Sequence, residues 1–196
     1  MAAGTCAGGT ISCWIVSQAN ILSNIAANLE PVERLLTGAA YLIGLSFAVK
    51  AIVSLKSLGE SRTMMGGGHS SIKEPLLYLF VAAIFIYFPT GFALLMNTTF
   101  GYSNVLAYAP IDSNNSTINT LFGQGSVVGR PLALILQTIG LIAFIRGWVL
   151  IAKSGSQGQS PGQGVGKGMI HVFGGILAMN IVGTLQIINN TLYGTN

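Results

Sequence analysis

The chain has 196 residues, of which 51% are hydrophobic and 7% are charged, and its mean hydropathy is +0.66. A soluble domain carries about 25% charged residues, so a chain this poor in charge cannot cover a water-facing surface and reads as a membrane protein. The net charge of +4 comes from nine dispersed cations with no aromatic-studded basic patch, which argues against nucleic acid as a partner and leaves the cations as topology signals.

Residues 1–30 carry no cationic n-region of the kind that opens a signal peptide, and the first charged side chain is Glu30. Insertion is therefore expected to depend on the first apolar helix acting as an uncleaved signal. Cys6 and Cys13 are too few for a disulfide framework and have no partners at zinc spacing. A bridge between them is permitted outside the cytoplasm; otherwise they are two small apolar residues in a packed segment. In Ile11–Leu29, the residues Ile11, Trp14, Ile15, Leu22, Ile25 and Leu29 recur at helical spacing, and serines and asparagines take the other face. Gln18 intrudes on the apolar side. The segment predicts a neutral amphipathic helix on the outer membrane surface or against a partner. Pro31 then suits the first turn of the next helix, with Glu33 near its N-terminus.

Four apolar runs follow, at Leu35–Leu55, Pro75–Met96, Pro131–Ala152 and Gly168–Ile188. Each reaches the roughly 20 residues that cross a bilayer core. None contains Asp or Glu, which speaks against a proton relay. Pro89 is expected to kink or loosen the second run.

Two phrases repeat. IGLSFAVK at Ile43–Lys50 and IGLIAFIR at Ile139–Arg146 lie 96 positions apart, and NTTFG at Asn97–Gly101 and NTLYG at Asn190–Gly194 lie 93 apart. Between them stand Gly- and Ser-rich loops, Ser57–Glu74 and Ser154–Lys167. The unit of helix, polar loop, helix reads as duplicated. Lys56, Arg62 and Lys73 mark the first loop, and Lys153 and Lys167 the second, whereas Arg34 and Arg130 lie on the other side. The positive-inside rule places both loops in the cytoplasm and both termini outside it. Both copies then share one orientation, unlike the inverted repeats of many transporters. Lys50 and Arg146 sit a turn or two inside the cytoplasmic ends, where they can snorkel to phospholipid headgroups; the alternatives are lining a conduit or binding anionic lipid. The segment 98–130 is rich in Asn, Ser and Gly and favours loops and short turns. Asn115-Ser116-Thr117 and Asn189-Asn190-Thr191 fit the glycosylation pattern, which matches often by chance.

Chemistry-bearing patterns are sparse. His69 falls in a loop and His171 at the start of the fourth run, neither with triad partners. GQGVGKG at Gly162–Gly168 fails as a phosphate loop, because Pro161 stands where the opening Gly belongs and Gly168 replaces the hydroxyl residue. No catalytic, cofactor or metal residues are assigned, and no enzyme is expected. Asn180 and Thr184 share a helical face and are expected to hydrogen-bond across helices. Ala40, Gly44 and Ala48, and Gly174 with Ala178, form small-residue stripes that favour helix pairing.

With KGMIHVFGGILAMNIVGTLQ at Lys167–Gln186, the duplicated helix, basic loop and helix resemble the IcmC/DotE proteins of the Dot/Icm type IVB secretion system. The resemblance runs from about Glu30 to the end, and the related DotV and IcmD/DotP proteins share the style. It implies a multi-pass inner-membrane component of an effector-translocating machine in an intracellular bacterium, with other secretion subunits as partners. It carries over no functional residues. A looser likeness is to conjugative pilins, which also join two apolar helices by a basic loop; the long central segment departs from that pattern.

The expected fold is all-α and integral to the membrane. It comprises an N-terminal segment 1–30, a first transmembrane hairpin 31–97, an extracytoplasmic connection 98–130 and a second hairpin 131–196. The expected role is structural, a subunit that packs with itself or with larger channel proteins during secretion; the alternatives are a small oligomeric channel or holin-like pore, or a pilin-like membrane subunit.

Overall fold

The computed structural model describes residues 11–63, 72–101, 116–123, 126, 128–155 and 163–194. Cys6, His69 and Asn115 lie outside the described residues. The described residues form helices and turns, with no strand among them.

Helix α1, Ile11–Thr63, is 53 residues long, about 80 Å at 1.5 Å per residue. It runs straight through Pro31. The segment Ile11–Leu29 is therefore not a separate helix: Pro31 sits inside α1 and does not open a helix. An interior proline forfeits one ladder bond and costs roughly 3 kcal/mol. Long helical stretches on both sides carry that cost, because propagation adds one bond per residue once a nucleus exists. Two faces of α1 separate at helical period. Ala40, Gly44, Phe47, Ala51 and Leu58 are buried, whereas Leu35, Leu42, Leu45, Val49 and Ile52 are exposed.

Helix α2 (Lys73–Ile86) meets α3 (Phe88–Phe100) at 84°. The short α4 spans Ser116–Phe122, inside the segment read as loop, and Phe122 is buried. Helix α5 (Gly129–Ser154) is continuous. Helix α6 (Gln163–Met179) meets α7 (Ile181–Tyr193) at 90°. Both expected loops are shorter than the sequence implied, since α1 continues to Thr63 and α6 begins at Gln163. Glycines read there as linker are tolerated in the first turn of α6, where helix ends need little propensity.

Asn20–Glu60 and Gly129–Ser154 are each long and apolar enough to cross a membrane, and up to four spans result if each bent pair is one span. These lengths and compositions are those of a membrane protein.

Helix α1 packs on α2, and α5 on α6, with α5 also touching α1 and α2. The α1–α2 pair is antiparallel: Gly44 abuts Phe85 and Phe47 stacks on Tyr78 at 5.7 Å. The α5–α6 pair is tighter. A Cβ built on Gly140 would stand 2.6 Å from the Met179 nitrogen, and one on Gly175 would stand 2.8 Å from the Phe144 nitrogen. Gly147 and Gly168 oppose each other in the same seam. Backbones this close gain dispersion and carbonyl contacts that larger residues would forbid. The stripe proposed at Gly174 and Ala178 is out of phase by one residue: Gly174 is exposed, with nothing within 4 Å of a Cβ, and its neighbour Gly175 enters the seam. In α1 the stripe through Ala40 and Gly44 does face the core.

Candidate functional site

Three features concentrate polar or shaped groups inside the apolar bundle: two helix breaks, one polar contact between α1 and α5, and an aromatic groove.

The first break lies at Tyr87, with φ −92° and ψ 20°. Pro89 follows in the first turn of α3. Its ring would meet the carbonyl of Phe85 if α2 continued, and at a helix start its missing donor costs nothing. The kink expected from Pro89 is therefore an 84° break between two helices. The N–H of Gly91 donates to the Tyr87 carbonyl at 2.7 Å. At the far end, Thr98 Oγ1 donates to Leu94 O at 2.7 Å, and Gly101, at φ 78°, closes α3 on Asn97 O. That left-handed conformation is one glycine adopts without strain.

The second break lies at Asn180, with φ −119° and ψ 62°. Its Oδ1 accepts from the Gly183 N–H at 3.0 Å, and its carbonyl accepts from the Thr184 N–H at 2.9 Å. Thr184 Oγ1 donates back across the break to Leu177 O at 2.9 Å. A carbonyl freed at the end of α6 thus gains a donor. Asn180 and Thr184, expected to bond across helices, hold the joint between α6 and α7. The Asn cap is worth about 0.5–2 kcal/mol. Thr191 Oγ1 then donates to Ile187 O at 2.7 Å, and Gly194 at φ 76° closes on Asn190 O. From break to closing glycine, each of these groups stands 93 positions after its counterpart in α3, the spacing of the two NT motifs.

Glu33 lies outside the apolar runs read from sequence, yet the continuous α1 brings it against α5. Thr138 Oγ1 is 3.1 Å from Glu33 Oε1 and 3.0 Å from its own helix's Leu134 O. One hydroxyl proton serves either acceptor. Thr138 is buried nine residues into α5, so the contact ties the two long helices together at depth.

The groove lies between α2, α3 and α5, encloses about 380 Å³, and is walled by Phe80, Ile84, Gly91, Phe92, Phe144 and Trp148 among others. Its rings touch edge-on: Phe80 to Trp148 at 5.9 Å, Phe92 to Phe144 at 6.4 Å and Phe144 to Trp148 at 6.2 Å. Phe88 joins them at 5.8 Å from Phe144. Trp148 Nε1 is buried with no hydrogen-bond partner among the described residues, a deficit of about 1–3 kcal/mol. Sequence reasoning passed over this cluster. Its signal was aromatics at helical spacing on α2–α3 (Phe85, Phe88, Phe92) and on α5 (Phe144, Trp148).

The remaining singled-out residues are placed simply. Lys50 is exposed, with Nζ 5.9 Å from the Phe47 ring, and Arg146 is exposed on α5. His171 Nδ1 lies 2.8 Å from Lys167 O on its own helix, so the Nδ1–H tautomer donates there. Asn189, the acceptor position of one glycosylation match, is buried in α7. No group of three His, Cys, Asp or Glu side chains converges among the described residues.

The chain matches no protein-family profile, no curated protein sequence and no solved structure.

Proposed function

We propose that the chain is a structural subunit of the bacterial inner membrane, in a type IVB secretion apparatus that resembles Dot/Icm and delivers effector proteins. In this reading it holds two tandem hairpins of one orientation, α1 with α2–α3 and α5 with α6–α7. Each bent pair together makes one crossing. Both polar loops face the cytoplasm, and both termini lie in the periplasm. The repeated frame supports the duplication. Arg34 and Arg130 stand 96 positions apart, as do Lys50 and Arg146, and the two breaks and their closing glycines keep the 93-residue spacing.

The observation that carries a structural role is the unpartnered apolar face of α1. Leu35, Leu42, Leu45, Val49 and Ile52 point away from the bundle, and Ile170, Phe173 and Leu177 do so on α6. In a bilayer such faces meet lipid or the helices of other subunits. Partners are then other membrane components of the apparatus or further copies of this chain.

Deleting the gene should abolish effector delivery and leave growth in broth normal; delivery at the parental level by the deletion strain would remove the proposal. Topology is tested separately in a background lacking Cys6 and Cys13. Single cysteines at Ser70, Ser116 and Ser160 are labelled from outside the inner membrane, and only position 116 should react. The channel reading is separated by planar-bilayer recording: steady conductance from the purified chain alone would favour a pore.

A further inference from the structure

We propose that the aromatic groove between α2, α3 and α5 holds one acyl chain of an anionic phospholipid whose headgroup lies at Lys73. The proposal rests on bilayer insertion alone and not on the secretion reading.

At one end of the groove α3 swings 84° across its path, so Gly91 and Phe92 form a floor. The other end is bounded by Phe80 and Trp148. Every wall is apolar or aromatic, and its volume falls in the ordinary range for a bound small molecule. Open space of this kind, facing hydrocarbon, takes a chain and excludes water.

Charge selects the headgroup. Lys73 precedes Phe80 by seven residues, two helical turns and about 10 Å along α2. The two therefore share one helix face, and Lys73 is exposed beyond the Phe80 end of the groove. The end of α5 sits at the same level, because a Cβ on Gly155 would touch Leu77 at 2.8 Å. Lys153, two residues earlier, adds positive potential there, and Glu74 is the acid beside Lys73. Trp148 lies five residues before Lys153 and walls the groove, so its ring touches whatever lies there.

Trp148 is also the reporter. With Trp14→Phe, the full chain has one tryptophan. It is reconstituted in phosphatidylcholine vesicles containing brominated phosphatidylglycerol or, separately, brominated phosphatidylcholine, and insertion is checked by flotation. Brominated phosphatidylglycerol should quench Trp148 at about fivefold lower mole fraction, the factor one lysine contributes near an anionic surface. Lys73→Gln should bring the two lipids to equal potency. Gly91→Phe fills the slot, since a Cβ there meets nothing within 4 Å; it should remove the steep quenching while leaving helicity and flotation intact. Gly91→Leu serves if the larger residue misfolds. Equal quenching by both lipids in the parent protein would overturn the proposal. So would preferential quenching that survives both Gly91 substitutions, because the anionic lipid would then be held outside the slot.

Discussion

The joints at Tyr87 and Asn180 turn the chain through 84° and 90°, and each leads into a 13-residue helix closed by a left-handed-φ glycine. They reach this geometry by opposite means. The first is made by subtraction: Pro89 denies α2 its continuation, and the rings of Phe88 and Phe92 pack the turned helix against Phe144. The second is made by addition: Asn180 caps α7 with its side chain, and Thr184 reaches back to α6. The residues that correspond to Phe88 and Phe92 by the 93-residue spacing are Ile181 and Leu185, which offer no rings. A backbone shape can therefore persist where its cause has changed, and substitutions at the two joints should behave differently.

The helix pairs beside the joints differ in the same way, and there the largest effects are expected. In the second half four glycines bring the α5 and α6 backbones within 2.6–2.8 Å of a built Cβ, whereas in the first half a Cβ on Gly44 meets the Phe85 Cβ at 2.8 Å and backbone only from 3.2 Å. Gly140→Ala forces backbone apart and should cost about 3 kcal/mol, the upper end for overpacking. Gly44→Ala should cost less, about 2 kcal/mol, because the nearest backbone atom, the Ile86 nitrogen, lies at 3.2 Å rather than 2.6 Å. Gly174→Ala meets open space and should be neutral or gain about 0.5 kcal/mol from helix propensity. Helicity followed through a detergent denaturation series ranks the three. Equal losses at Gly44 and Gly140 would erase the contrast between the halves.

Next in size is the cap. Asn180→Ala should lose about 1 kcal/mol in the same assay, and Asn180→Ser should recover most of it, because a hydroxyl can accept from the same N–H. No counterpart exists in the first half, where the N-cap residue Tyr87 offers no side-chain cap. A smaller loss falls on the joint between the halves. Thr138→Val removes the donor to Glu33 and should cost about 0.5–1 kcal/mol, since in the parent that proton is already shared with Leu134 O. Glu33→Gln keeps an acceptor oxygen and should cost less than Thr138→Val. The reverse order would show that charge, not the hydrogen bond, joins α1 to α5.

Much of this was legible in the chain itself. The apolar runs announce the long helices, and Pro89 announces its kink, because a missing donor acts locally whatever surrounds it. Asn180 was not legible. An Asn in an apolar run can bond across helices or cap a new one, and only the absence of a following ladder bond decides. The phase of the glycine seam was hidden for a related reason: Gly174 and Gly175 are alike as letters, and the partner helix alone selects one. Pro31 misled because its position suited a helix start, while the length of helix on both sides was the deciding quantity. The groove was missed because aromatics at helical spacing read equally as general core. Its shape depends on the 84° turn that places α3 across the end of α2 and α5.

The smallest change in free energy, and the sharpest test of the contrast, is Pro89→Ala. With the ring gone, α2 could run on through Tyr87, whose φ of −92° and ψ of 20° lie about 30° and 60° from helix. Straightening would pull Phe88 and Phe92 from Phe144, and such ring pairs are worth about 0.5–1.5 kcal/mol each beyond the area they bury. That loss balances the ladder bonds gained, so the bend should survive with stability nearly unchanged. Spin labels at Leu79 and Thr98, both exposed, should remain roughly 21 Å apart along the bent path rather than the roughly 28 Å of a straight helix. Adding Phe88→Ala and Phe92→Ala should move them to the longer distance. At the second joint no rings oppose straightening, so Asn180→Ala alone should shift labels at Ile170 and Leu192 from roughly 23 Å toward roughly 33 Å. Straightening by Pro89→Ala alone would mean that proline, not packing, holds the first bend, and the groove it shapes would then depend on one residue.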